Sequence, residues 1–546
     1  MRFLLKIFKY CMITSIFLCI HVQAKNNKSF NDLLKRESII ILNYYPSPTS
    51  FNSTNFSIEY YNNSNKTIKY ITAKFVGYDA VGGIVKDVGG SAKYLKGIGP
   101  IESKASASYS RENAWFTSIV DSAKVTSVAV EYMDGSKNII NQPNSITLSD
   151  EEYKNITENS SKNQGDDDIK LSLQPFKCRR WMESNHSYNA TIVKIGHAAP
   201  LTGGISHLGA DNANGACLAV GEINQKGLEI DGKKIELRLI SEDDAGDPKI
   251  GIAVAQKLVD EKVVAVIGHL NSGVSIPASR IYNKAGIVQI SPSSTNPEYT
   301  NQGYNSTYRL VASDDIQGVA LAEYASKNLK AKTVAIVHDN TAYGKGLANE
   351  FEKKAKFNSL NIVAYDLTND KATDFKSILT KIKNKNPDVI MYSGMDSTAG
   401  LFAKQAYKLS LTTKILAPDG VCTDKLSELA GNGINNIICS EAGVPFSKME
   451  NIVNFADKYK EIFDMDPQIY SPFTYDAVNV IVDAMKRANS TEPDKVLEKM
   501  PKTNLKGMIG NISFDKNGDM KEKIITLYNY INKEKTVLDT VKIINK

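Results

Sequence analysis

From Thr191 onward the chain alternates short apolar runs with helical stripes, and this alternation constrains the fold more than any other feature of the sequence. Ile192-Val193-Lys194-Ile195 precedes a stripe at Ala216, Val220 and Ile223, Ile235 to Ile240 precedes one at Ile252, Ala255 and Val259, and Val263 to Ile267 and Val288 to Ile290 read as further buried strands. The second half repeats the pattern. Val334-Ala335-Ile336-Val337 leads to a helix after Tyr343. Asp388 to Tyr392 follows a helix in which Phe375, Ile378, Leu379 and Ile382 fall at i, i+3, i+4 and i+7, with Thr373 as its expected N-cap. Strands that are apolar on both faces, separated by helices, imply parallel sheets covered by helices on each side. Such a pattern over about 350 residues exceeds one ordinary domain and predicts two α/β lobes.

The N-terminal part obeys a different rule. Between about Ser38 and Ile140, Ile58 and Tyr60 alternate with Ser57 and Glu59, and Val128, Val130 and Tyr132 alternate with Ser127, Ala129 and Glu131. Period-two strands separated by Asn and Gly clusters predict a small all-β sandwich over residues 25–141. Residues 142–190 turn polar, with Asp150-Glu151-Glu152 and Asp166-Asp167-Asp168, and read as a linker interrupted by Cys178-Arg179-Arg180-Trp181. Residues 1–24 read as a cleaved secretory signal: Arg2, Lys6 and Lys9 precede the apolar run Met12 to Ile20, and Val22-Gln23-Ala24 supplies small residues for cleavage. The run falls short of the roughly 20 apolar residues of a membrane span. No later segment is long and apolar enough to span either, so the mature chain is expected to be exported, without membrane insertion.

Export makes cysteine pairing informative. Cys178, Cys217, Cys422 and Cys439 remain after cleavage, no pair has metal-site spacing, and the short interval from Cys422 to Cys439 is the expected disulfide. The whole chain carries 66 Lys and Arg against 60 Asp and Glu, with no dense basic run interleaved with aromatics, which argues against nucleic acid as a partner.

In open parallel sheets, ligands bind beyond the carboxyl ends of the strands, where helix N-termini present free N–H groups. The loops there are Pro200-Leu201-Thr202-Gly203-Gly204, Gly268-His269-Leu270-Asn271-Ser272-Gly273 and Ser291-Pro292-Ser293-Ser294-Thr295-Asn296-Pro297. Each alone suits a helix cap. Three in one lobe, rich in hydroxyls and glycine, suit a small carboxylate.

These loops also carry a resemblance. Ile195–Gly204 (IGHAAPLTGG), Glu242–Pro248 (EDDAGDP), Val266–Ser279 (VIGHLNSGVSIPAS), Ile290–Thr300 (ISPSSTNPEYT), Val334–Leu347 (VAIVHDNTAYGKGL) and Ala417–Gly420 (APDG) occur in order across residues 191–546. This region resembles the type I periplasmic substrate-binding proteins, and within them the leucine/isoleucine/valine-binding proteins of branched-chain amino acid ABC transporters. The resemblance implies two doubly wound lobes joined by three crossings, placed near Ala312, Gly443 and Gly510. Lobe one would take residues 191–312 and 443–510, and lobe two residues 313–442 and 511–546.

Residue by residue, the resemblance implies that Ser272, Ser293 and Thr295 hold a ligand carboxylate, that Asp419 pairs with its ammonium and that Tyr343 closes the pocket. Leu208 and Met395 stand where leucine-type receptors carry Tyr, making an apolar and flexible side-chain wall. Asn271 and Gly246 stand where some members have a disulfide, and Asp419 stands where some relatives have Glu. The expected function is capture of a small amino acid, branched-chain above all, by cleft closure, and its delivery to membrane ABC permease subunits. The protein would act as a periplasmic monomer without cofactor or metal. Three other readings stand beside it: a sensory receptor for another small ligand, an exported hydrolase using Ser272 with His269 or His338, and an adhesin or assembly role for the sandwich domain. No Gly-x-Ser-x-Gly elbow surrounds Ser272, and neither a His-Glu-x-x-His motif nor a P-loop is present.

Overall fold

The computed structural model describes residues 37–48, 54–79, 84–85, 92–101, 106–115, 120, 122–141, 143, 177–178, 181 and 190–544. The expected signal segment, and most of the expected linker, lie outside these residues. The chain divides into two compact units at Leu173/Gln174.

The first unit is antiparallel throughout. Strands β1 (Ile39–Pro48), β2 (Thr54–Asn62), β3 (Ile68–Tyr78), β4 (Ala92–Ile101), β5 (Ser106–Trp115), β6 (Ser122–Tyr132) and β7 (Lys137–Asn141) form two sheets, ordered β1-β2-β5 and β4-β3-β6-β7. The period-two residues face inward from both: Phe56, Ile58 and Tyr60 of β2 share one core with Ile71, Ala73 and Phe75 of β3 and with Val128 and Val130 of β6. Phe56 and Phe75 stack with ring centroids 3.7 Å apart, joining the two layers.

The second unit is α/β with two lobes. The first lobe begins with β8 (Thr191–Ala199), α1 (Ser206–Lys226), β9 (Leu228–Ile230), β10 (Lys233–Asp243), α2 (Pro248–Asp260), β11 (Ala265–Gly268), α3 (Ser272–Lys284), β12 (Val288–Ser291) and β13 (Thr307–Arg309). The second contains α4 (Asp314–Glu323), β14 (Thr333–His338), α5 (Ala342–Phe357), β15 (Asn361–Leu367), α6 (Lys376–Lys385), β16 (Val389–Ser393), α7 (Asp396–Lys408), β17 (Lys414–Ala417) and β18 (Ile437–Ala442). The chain then returns to lobe one for α8 (Ile452–Phe463), α9 (Ser471–Ala488), α10 (Pro493–Lys499) and the hairpin β19 (Leu505–Gly507) and β20 (Gly510–Ile512). It ends in lobe two with β21 (Glu522–Ile531) and β22 (Glu534–Ile544).

The lobe-one sheet has the order β13-β12-β11-β8-β10-β9 and the lobe-two sheet β15-β14-β16-β17-β18-β21-β22. Both are parallel at their centres. Their edges differ from a purely parallel expectation: β9 runs antiparallel to β10, and β21 and β22 form an antiparallel pair beside β18. Tight turns explain this, since Asp231-Gly232 and Asn532-Lys533 take positive φ and reverse the chain in two residues.

Three local readings change. The third crossing lies at Met520–Glu522 rather than near Gly510, because Phe514 and Met520 still pack in the lobe-one core and Asp519 binds Arg309 of β13. Helix α6 begins at Lys376, whose N–H is accepted by Asp374, so Thr373 is not its cap; Phe375, Leu379 and Ile382 are nevertheless buried as the periodicity requires. Helix α5 starts at Ala342, one residue before Tyr343, with the Thr341 hydroxyl accepting from Gly344 N.

Two disulfides are present: Cys422–Cys439 and Cys178–Cys217. The second attaches the Cys178–Trp181 segment to α1, where the indole covers Gly221 and Lys177 donates to the Phe463 carbonyl at 2.8 Å. Lys177, Cys178 and Trp181 of the polar stretch thus pack on lobe one.

Candidate functional site

The cleft between the lobes is built where strands end and helices begin. Helix α3 of lobe one and α5 of lobe two meet end to end: a Cβ added to Gly273 would lie 3.6 Å from Ala342 Cβ, and Asn296 Nδ2 donates to the Ala342 carbonyl at 2.7 Å. Both helices turn first-turn N–H groups and the positive ends of their dipoles toward this point.

On the lobe-one side, Ser272, Ser293 and Thr295 are all buried. Ser272 is the first residue of α3, and its Oγ accepts from Asn296 N at 3.3 Å. Ser293 Oγ donates to the Leu270 carbonyl at 3.1 Å, and the Thr295 carbonyl accepts from Asp314 N at 2.8 Å. The loop is held from behind by Arg309. Its Nη1 donates to the Ser294 and Asn296 carbonyls at 3.2 and 2.8 Å, bracketing Thr295, while Nε and Nη2 both donate to Asp519 Oδ1. Asp314, buried behind Thr295, is held well above the usual carboxylate range chiefly by desolvation.

On the lobe-two side, Asp419 follows β17 and is 1% exposed. Its Oδ1 accepts from Tyr343 OH at 2.7 Å and from Gln317 Nε2 at 3.0 Å, and its Oδ2 accepts from Tyr470 OH at 2.7 Å. Gln317 Oε1 in turn accepts from Asp419 N at 2.8 Å, and Tyr343 OH accepts from Gly420 N at 3.0 Å. Burial raises the Asp419 pKa against the pull of these donors. Burial also raises Tyr343 and Tyr470 well above 10, so both hydroxyls stay protonated and keep donating. A carboxylate held this way keeps lone pairs for a cation and has no bulk water to screen it.

Leu208, Leu270, Ala199 and Tyr470 form one apolar cluster, with Met395, Leu201, Ile205 and Ile469 packed against it. Leu208, from α1, and Met395, the residue before α7, thus belong to the same apolar wall. Beside them the lobes are bridged by His207 Nε2 and Asp396 Oδ2 at 2.7 Å, and Thr423 Oγ1 donates to the same carboxylate oxygen at 2.6 Å. With Tyr470–Asp419 and Asn296–Ala342, this makes three hydrogen-bonded bridges across a closed cleft.

The pairing of Ser272 with a histidine does not form. His269 has Asp244 at Nδ1, 2.7 Å away, and Tyr282 OH at Nε2, 3.0 Å away. His338 Nδ1 accepts from Asn340 N. Among the described residues no group of three His, Cys, Asp or Glu side chains could hold a metal ion. Asn271 and Gly246 are neighbours, a Cβ on Gly246 falling 3.4 Å from Asn271 Oδ1. Sequence reasoning missed Gln317, His207, Asp396 and Tyr470. The available signal for Tyr470 was the Ser471-Pro472 helix start that follows it.

The family model described as periplasmic binding protein matches residues 192–530. The chain belongs to the periplasmic binding protein family. This binding protein is 35% identical over 342 residues to a Leu/Ile/Val-binding protein homolog of Brucella abortus, covering 62% of this chain and 90% of that one. It is 31% identical over 350 residues to a leucine-, isoleucine-, valine-, threonine- and alanine-binding protein of Pseudomonas aeruginosa, covering 64% and 92%. Among solved structures it resembles the leucine-binding protein LivK of Thermotoga maritima, with TM-score 0.59 and 30% identity over 65% of this chain and 99% of that one. It also resembles the branched-chain amino acid transporter substrate-binding protein LivJ of Streptococcus pneumoniae in complex with isoleucine, with TM-score 0.59 and 29% identity over 64% and 100%. The family is one of solute-binding proteins, and no helix among the described residues is long and apolar enough to cross a membrane.

Proposed function

We propose that this binding protein captures a branched-chain amino acid by cleft closure and presents it, as an exported monomer, to the membrane subunits of an ABC transporter. In this reading Asp419 pairs with the ligand ammonium, and Tyr343 orders that carboxylate. Ser272, Ser293, Thr295 and the first-turn N–H groups of α3 take the ligand carboxylate, and Leu208, Leu270, Met395 and Tyr470 enclose the side chain. The observation that carries it is the placement of one buried, triply donated acid in a closed cleft beside an apolar cluster and a hydroxyl loop. A zwitterion withdrawn from water must have both charges met, and this arrangement offers one group of each kind. A hydrolase is disfavoured because His269 has both ring nitrogens engaged away from Ser272.

The test is a thermal-shift screen of mature protein, unfolded and refolded to strip carried ligand, against the twenty amino acids and a few aliphatic amides and carboxylates. Ligand at a hundred times its Kd stabilises by about 2.7 kcal/mol. Leucine, isoleucine or valine is expected to raise the Tm most. No shift with any amino acid would refute the reading.

A further inference from the structure

Tyr470 reaches Asp419 from the opposite lobe, so its position decides whether the closed cleft completes the acid's hydrogen bonding. That position is set by α1. Asp211, 2% exposed, gathers the turn before α9 onto its carboxylate: Oδ1 accepts from Gln468 N at 2.8 Å and from Tyr459 OH at 3.0 Å, and Oδ2 accepts from Tyr470 N at 3.0 Å and from Ser471 N at 2.8 Å. One turn further along α1, Gly215 lets the same segment approach, since a Cβ there would stand 2.4 Å from the Ser471 carbonyl oxygen. Asp211 also lies three residues after Leu208 and four after His207, on the side of α1 that supplies the apolar wall and the bridge to Asp396.

A helix cap needs one acceptor for one or two N–H groups. Here both oxygens of a buried acid are used, and three of the four donors are consecutive or near-consecutive backbone amides flanking Tyr470. Each lost donor would leave either a buried amide or a buried carboxylate oxygen unsatisfied, so the turn has little freedom to relax. The Tyr470 side chain makes two contributions in this geometry: its ring closes the apolar cluster and its hydroxyl donates to Asp419 Oδ2.

We infer that Asp211 is a positioning residue for ligand capture: it fixes the 468–471 turn so that Tyr470 delivers its hydroxyl to Asp419 as the lobes close. The inference rests on the proposed role of Asp419 as the ammonium partner. It differs from a purely structural role for Asp211 in that its effect on affinity must pass through Tyr470.

The experiment is a double-mutant cycle on the full mature chain, with Asp211→Asn, Tyr470→Phe and the pair, reading the L-leucine Kd by calorimetry and the unliganded Tm of each protein. Asp211→Asn is expected to weaken leucine binding about tenfold or more when residue 470 is Tyr, and less than about threefold when it is Phe, because coupled residues are not additive. Its Tm loss should be the same in both backgrounds. Gly215→Ala, which displaces the same turn without touching charge, should show the same background dependence and carries the test if Asp211→Asn does not fold. Equal affinity losses in both backgrounds, or no loss, would overturn the inference while leaving the amino-acid reading intact. Wild-type protein that binds no amino acid would overturn both.

Discussion

Replacing Asp419 by Asn removes one charge from the cleft while keeping the shape of the side chain. The structure makes the expected consequences for binding and for stability opposite. Asp419 is buried and accepts from Tyr343, Tyr470 and Gln317, and burial already raises its pKa, so its charge is costly without a cation. With the amide oxygen still accepting from Tyr343 and Gln317, the Tyr470 hydroxyl can rotate to accept from the Asn NH2, and the unliganded Tm should stay level or rise. Binding should collapse, because breaking a buried ion pair from one side costs about 3–5 kcal/mol. That corresponds to roughly 150- to 4,500-fold in Kd. Calorimetry with L-leucine and with 4-methylpentanoate, its analogue without the ammonium, separates charge from shape. Wild-type protein should reject the analogue, since it would leave Asp419 buried and unpaired, whereas Asp419→Asn should bind the analogue at least as tightly as leucine, whose ammonium it leaves buried without a countercharge. A leucine Kd within about fivefold of wild type, or equal binding of both ligands by wild type, would refute the reasoning.

Replacing His207 by Ala removes the bridge to Asp396 and should weaken ligand binding by about five- to tenfold, the worth of one hydrogen bond, without altering which amino acid binds best; unchanged affinity would show that the bridge adds nothing to closure. His197 is fully buried, and burial lowers its pKa from 6.5 to about 4, so the unfolded chain binds the proton more readily between those values. Its contribution to stability is complete above pH 6.5 and is lost as pH falls toward 4, by at most about 3 kcal/mol, and His197→Gln should flatten that acid limb in urea titrations followed across pH. Cysteines 422 and 439 close a loop of 17 residues. Replacing both by Ser should lower stability by about 3 kcal/mol on the loop-entropy model, and four free thiols in the unreduced, denatured mature protein would contradict both disulfides.

The parts of this molecule that were legible in the sequence are those whose identity is set locally. A strand buried on both faces must be apolar throughout, so Val334 to Val337 and Val389 to Tyr392 declared themselves, and a helix with one buried face must repeat at 3.6 residues, as Phe375, Leu379 and Ile382 do. The lobe-one strand-end loops were legible for the same reason: Ser272, Ser293 and Thr295 follow recognisable strands, and topology sends such loops to one side of a sheet, whereas Asp419 was reached only through the family resemblance. The third crossing was misplaced because Gly510 marks a hairpin, a local event, whereas the boundary is fixed by Asp519 meeting Arg309 across 210 residues. Tyr470 was missed on the same principle. Nothing within several residues of it distinguishes a wall residue from an ordinary helix start. Its role comes from Asp211, some 260 positions earlier, which orients its backbone, and from Asp419 in the other lobe, which receives its hydroxyl. In a two-lobed receptor the residues that belong to closure owe their meaning to contacts between distant segments, and a periodicity argument can find the walls of such a cleft before it can find what latches them together.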